Sequence, residues 1–491
     1  MEIADLTPAE RRLRWAFPRG ETVDFRQSPD EDPEQGGAWG PERTVRAEVL
    51  RTLMLSGQAA EGEVAALRVD GARITGRLNM RYGVVSGPVR LMGCHFEETP
   101  SFYGTEVRQL NLSESYLPGL EAMTIRCSGV LRLTDCRIPG QVRLGGARIS
   151  GALFMERAQI GSDGAADQHG QILHLNHSVI DDDVWAPDLR VSHGAVRMHG
   201  SKVSGMVNLQ GASLSHPGDT ALDLQTLTVG SDLIAKRLHA EGMVNLRGAR
   251  IPGQIDLSRA RLSNPGGTAL HASSCTAAEI WFRETEPIKG IVNLRHSQFD
   301  TLYATPKVWP DVVRLENLSY GTLTPPLPAS LRLPLLEREQ EGYLPHGYEQ
   351  LAAAYRRIGD DAAARTVQLA KLRHHRSSLP WYLKVWGFLQ DGLVGYGFRP
   401  LRAAAWLVAL LAVGSIVFGI QPPPELKKGE SPGFNPFFYT LDLLLPIIDF
   451  GQEKAYKPQH GYQYLAYTLI IAGWILATTI AAGITRAISR Q

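Results

Sequence analysis

Few residues in this chain have the types and spacing that chemistry requires. In "HSVIDDDVW" the imidazole of His177 precedes the carboxylates of Asp181, Asp182 and Asp183, a set able in principle to hold a divalent cation or exchange protons. Successive strand residues face opposite ways, so at most Asp181 and Asp183 converge, and a solvated turn is the simpler reading. Two further acids, Asp442 and Asp449, interrupt the apolar run "PFFYTLDLLLPIIDFG" at 436–451. A short helix between two spans is the layout of a cation channel, which makes this pair candidate pore or loop acids. The Thr-Val-Gly-Tyr-Gly filter of potassium channels is absent. His374 and His375, in "KLRHHR", suit contact with lipid head groups better than catalysis.

Other signatures are missing. There is no glycine-rich loop between a strand and a helix, no His-Glu-x-x-His, no Gly-x-Ser-x-Gly and no His-x-Glu with a Pro-Cys-x-x-Cys partner. No catalytic residue, cofactor-binding residue, cofactor or metal ligand is therefore assigned. Cys94, Cys127, Cys136 and Cys275 lack Cys-x-x-Cys spacing and read as buried thiols. Lys and Arg total 51 against 50 acids, a net charge of +1, so no global field favours nucleic acid as a partner. Arg143, Arg148, Arg197, Lys202, Arg247 and Arg250 recur at outward positions, as a solvated face or a basic stripe for an acidic partner.

The elements that must position these residues come from a repeat. From Gly140 the chain reads Val142, Leu144, Ala147, Ile149, and from Gly151 it reads Leu153, Met155, Ala158, Ile160, a period of eleven residues. Apolar positions two apart indicate strands. The leading glycine marks a corner, and the small eighth residue (Cys94, Cys136, Ala147, Ala158, Ser201, Ala249) marks a tight interior column. Two units make a coil of about 22 residues, as in solenoids. Gly194, Gly242 and Gly290 are 48 apart, and "LSHPGDTALDL" and "LSNPGGTALHA" recur at the same interval. The expected fold is mainly β, a right-handed β-helix resembling pentapeptide-repeat solenoids. It carries a helical N-terminal cap (1–60), the solenoid (61–305), a proline-rich connector (306–345), a helical hairpin with an interfacial helix (346–400) and two C-terminal transmembrane helices (401–491).

Two charge-free runs, 403–421 and 464–484, have the length that spans a bilayer, and the segment at 436–450 reads as re-entrant or interfacial. Lys371, Arg373, Arg376, Lys384, Arg399 and Arg402 before the first run, with Arg486 and Arg490 after the second, predict cytoplasmic termini. The N-terminus lacks a secretory signal. The expected location is the inner cell membrane, multi-pass, with the solenoid cytoplasmic.

The phrases "WGPERTVRAEVLRTLML", "VNLRGARIPGQIDLSRARLSNPGGTAL" and "YEQLAAAYRRIGDDAAARTVQLAKLR", followed by two apolar runs, resemble a family of actinobacterial proteins related to pentapeptide-repeat solenoids. Members often carry the label membrane-associated oxidoreductase, which implies a cofactor site that no motif here supplies. Three functions follow as expectations. The first is a membrane-anchored cytoplasmic scaffold with membrane lipid and a protein bound to the solenoid faces as partners; the second is a homo-oligomeric two-span channel gated by the solenoid; the third is the oxidoreductase of the family label.

Overall fold

The computed structural model describes residues 5–28, 30–168, 170–377, 400–426, 433–445, 448–459 and 461–488. The interfacial helix expected at 380–397 lies outside them. The chain forms two compact units, Met1–Gln350 and Leu351–Gln491.

The first unit is a β-solenoid of about 12 turns. Short parallel strands pair with their counterparts in the next coil, Leu120 with Val142, Arg126 with Arg148 and Leu131 with Leu153, so the eleven-residue unit is half a coil. Between coils the backbone bonds in register, as in Leu133 N to Phe154 O (2.8 Å) and Ala122 N to Arg143 O (2.8 Å). Val142, Leu144, Ala147 and Ile149 all point inward and are fully buried. The bend falls at the seventh position, where Asp135, Gly146, Arg157, His177 and Arg259 adopt left-handed φ between 53° and 68°. The small eighth residue then turns inward, and where it is serine its hydroxyl donates to a carbonyl of the preceding coil: Ser115 to Leu91 O (3.0 Å), Ser178 to Leu144 O (2.8 Å), Ser201 to Leu175 O (2.7 Å).

The leading glycine answers a different constraint from the one expected. A Cβ on Gly140 would lie 2.1 Å from Pro118 O, and one on Gly87 would lie 2.4 Å from Ala65 O. Here the backbone of one coil meets a carbonyl of the last, and any side chain would part them. The Pro-Gly segments bulge out between paired ends: Ser213–Asp223 pairs with His239–Asn245, and Arg261–His271 with Lys289–Asn293, with register shifts between Ser215 and Thr220 and between Ser263 and Thr268. Each is closed alike. His216 Nδ1 donates to Thr220 O (3.1 Å), and 48 residues on, Asn264 Nδ2 donates to Thr268 O (2.9 Å).

Both solenoid ends differ from expectation. At the N-terminal end α1 (Pro8–Ala16) opens on a capping box, Thr7 with Glu10, and α2 spans Ala47–Ser56. Between them Thr22–Asp24 pairs with Leu67–Asp70, and Thr44–Arg46 pairs with Arg73–Thr75, so this segment also supplies strands to the first coil. Burial would raise the Glu10 carboxyl, but hydrogen bonds from Arg46 and Thr7 hold it below its usual range. At the far end coils continue past the expected limit of 305: Ser319–Thr324 pairs with Gln298–Tyr303. A helix, α3 (Ala329–Glu337), forms around Pro334 despite the expected break. Its exit pairs with the last strand of one sheet: Val313 N donates to Arg338 O (3.1 Å), Gln340 N to Val313 O (3.0 Å), and the buried carboxylate of Glu339 accepts from Leu315 N (2.6 Å). Pairing the edge in this way removes a template for aggregation.

Helix α4 (Pro345–Arg357) is followed by α5 (Asp361–Ser377) after Gly359, which takes φ 80°. In the second unit α6 (Pro400–Ile420), α7 (Pro436–Leu444), α8 (Gln452–Ala455) and α9 (Gly461–Ile488) follow. Phe418, Tyr439, Leu443, Leu444, Tyr456, Ala466 and Leu469 make its core. Gly414 and Gly473 admit α7 closely, since a Cβ at either would stand 2.3 Å from Thr440 Cγ2 or 2.2 Å from Leu444 O.

The expectation of two transmembrane helices is corrected here: among the described residues no helix is long and apolar enough to cross a membrane. Helix α9 opens with Tyr462, Gln463 and Tyr464, which dilute its apolar run.

The packing of the coils generates a prediction. Gly140→Val, against a backbone carbonyl, and Ala147→Leu, in the small interior column, should each lower the solenoid's unfolding free energy in urea by about 1–3 kcal/mol, the usual cost of overpacking. An unchanged midpoint in both would contradict the packing described.

Candidate functional site

The acidic segment is not gathered into a site. His177 sits at a left-handed corner (φ 57°), exposed, with its ring edge-on to His199 at 5.5 Å. Asp181 and Asp182 face solvent, whereas the Asp183 carboxylate accepts from Met206 N (2.7 Å) and ties its coil to the next. Among the described residues no group of three His, Cys, Asp or Glu could hold a metal ion.

Asp442 and Asp449 make separate sets of bonds. Asp442 is buried, and its carboxylate accepts from Phe450 N (2.6 Å), Gln452 N (2.8 Å) and Glu453 N (3.1 Å). It thereby holds the first turn of α8, where unpaired N–H groups and the helix dipole favour an anion. Asp449 is exposed; it accepts from Gly451 N (2.8 Å) and pairs with Lys454, which keeps it below the usual carboxylate range. Burial pushes Glu453 upward, with help from the charge of Asp442. All four cysteines are buried, and desolvation pushes the thiols of Cys94, Cys136 and Cys275 up to about 12, so none is a poised nucleophile.

What the solenoid does build is columns. Because pairing is parallel and in register, one outward position of each coil stacks on the same position of the next. On one face Arg143, His174, Arg197, Asp223, Asn245, His271, Asn293 and Arg314 follow one another without a gap. The column bonds within itself, Asn245 Nδ2 donating to Asp223 Oδ1 at 2.9 Å. On another face Phe154 stacks on Trp185, and Trp281 on Tyr303 with ring centroids 5.9 Å apart. These four rings are half-buried, and the Arg132 guanidinium lies 3.9 Å over Phe154.

A groove of about 470 Å³ adjoins the second face, lined in part by Lys236, Arg237, Arg259, Trp281 and Arg283. Sequence reasoning looked for basic residues along the strands and missed it. Its cations belong to the corners. Aligning the units on the residue after the left-handed corner, Leu238, Ala260 and Thr285 here, would have placed Lys236, Arg237, Arg259 and Arg283 together.

No family model, curated protein or solved structure matches the chain.

Desolvation lowers the imidazoles of His174 and His271, reinforced by Arg neighbours, Arg143 and Arg197 for the first and Arg247 and Arg314 for the second. Each folded pKa lies below the model-compound value of 6.5, so below that value the unfolded chain binds more protons than the folded one and acid destabilises. The urea midpoint of the solenoid should therefore fall between pH 7 and about pH 5, and His174→Asn with His271→Asn should flatten that fall. A fall of equal size in the double variant would contradict this assignment.

Proposed function

We propose that the chain is an interaction scaffold, in which the solenoid offers its outward columns to a protein partner and the helical unit seats the molecule on a lipid surface. The observation that carries this reading is the parallel pairing of about 12 turns, which holds outward side chains in columns, including half-exposed aromatic pairs. Exposed aromatic and aliphatic groups on a rigid, repetitive frame are what binding surfaces of solenoids use.

The lipid part rests on the second unit. Trp406, Val408, Ile416, Tyr464, Ile471 and Trp474 are all exposed there, Tyr464 at 76% and Ile416 at 63%. So many apolar side chains on two neighbouring helices exceed what a free surface normally carries. The mixture of Trp and Tyr with aliphatics suits the boundary between head groups and acyl chains.

Two measurements on the full chain test the reading. The protein should float with phosphatidylcholine–phosphatidylglycerol vesicles in a density gradient, and Trp406→Glu with Trp474→Glu should leave it at the bottom. Affinity capture in mild detergent should recover a partner that is lost with Trp185→Ala plus Tyr303→Ala. Self-association without flotation would replace lipid by a second copy. The absence of any partner sensitive to the aromatic column would remove the scaffold.

A further inference from the structure

The groove beside Trp281 has a composition unlike the rest of its edge. Its cations come from three successive coils, Lys236 and Arg237, then Arg259, then Arg283, all at the same corner. Two are spoken for, Lys236 by Asp256 at 3.2 Å and Arg259 by Glu284 at 2.7 Å. Arg237 and Arg283 are exposed and make no ion pair among the described residues. The indole of Trp281 lines the groove, and its Nε1 is buried without a hydrogen-bond partner among the described residues.

We propose that this groove binds a short acidic peptide segment, whose carboxylates are held by Arg237 and Arg283 while Trp281 supplies an apolar wall. The inference rests on the scaffold reading and names the chemistry of its partner. Guanidinium groups are planar forks that match carboxylates, and two forks without internal partners are available at once. Coils stand about 4.8 Å apart, so the groove from Gln210 to Arg283 extends for roughly 14 Å, which an extended peptide covers in about four residues. Its length argues against nucleic acid. The same corner continues toward the N-terminus with Asp188, then Arg157, already paired with Asp135, then Asp135 and Glu114. A polyanion carrying charge at every nucleotide would run from the basic corner into these acids, whereas a short acidic segment ends before them.

The test uses the full chain and fluorescence anisotropy of fluorescein-labelled acetyl-Glu-Glu-Phe-Glu-Glu-amide, its Gln-for-Glu counterpart, and a labelled oligothymidine of equal charge. The acidic peptide should bind. Arg237→Glu with Arg283→Glu should weaken it at least tenfold and Trp281→Phe several-fold, while Arg190→Glu, exposed on the other sheet, should leave it unchanged. Binding that is undetectable in the wild type, equal for the Gln peptide, equal in the double variant, lost in the Arg190 control or tighter for the oligothymidine would overturn the proposal. If it fails while capture still depends on Trp185 and Tyr303, the scaffold reading stands and only the assigned partner chemistry falls.

Discussion

Each coil of the solenoid is fastened to the one before it by backbone hydrogen bonds in a fixed register, and the other features of the unit follow from that ladder. Parallel pairing leaves slack only at bulges such as Ile251–Gln254, because elsewhere every buried N–H and C=O must meet its partner in the next coil. A single slipped residue would turn an apolar row outward. The register therefore dictates where a side chain is forbidden, as at Gly140 and Gly87, and where only a small one fits, as at Ala147 and Ala158. The serines in that column add a second ladder of side-chain bonds to carbonyls one coil back.

The same constraint creates the outer surface. Once the coils are in register, corners and outward strand positions become straight columns, so a residue's chemistry is multiplied or cancelled by its neighbours one coil away. Arg143, His174 and Arg197 crowd three bases together, and the two imidazole pKa values in that column fall through burial, His174 beside Arg143 and Arg197 and His271 beside Arg247 and Arg314. Lys236, Arg237, Arg259 and Arg283 gather at one corner by the same rule, although they are far apart in the chain. Function in such a fold resides in sums over coils more than in any one motif.

The repeat and the strand character of its units were legible because period-two alternation and a recurring glycine are strong, local signals. The parts that were not legible depend on pairing at a distance. Thr22–Asp24 is too short to show an alternating pattern, and only its bonds to Leu67–Asp70 make it a strand. Ser319–Thr324 carries its glycine, Gly321, against Asp300 O, but stands beyond the regular repeat and joins the sheet through Gln298–Tyr303. Asp442 looked like a pore acid because its apolar neighbours were legible and its three backbone donors, eight to eleven residues on, were not. The two apolar runs were read by length and charge alone. In the described structure they fall short of a span and pack around Tyr439 and Leu444.

The central claim is that the coil-to-coil ladder is continuous from the strand at Leu67 to the strand ending at Thr324. Amide hydrogen exchange followed by mass spectrometry across those residues tests it most directly. The account predicts that peptides from the inward strands in every coil are protected together, at levels approaching global unfolding, with the exposed loop around Gly164 exchanging early. Rapid exchange in a block of internal coils, with protection on either side, would contradict it.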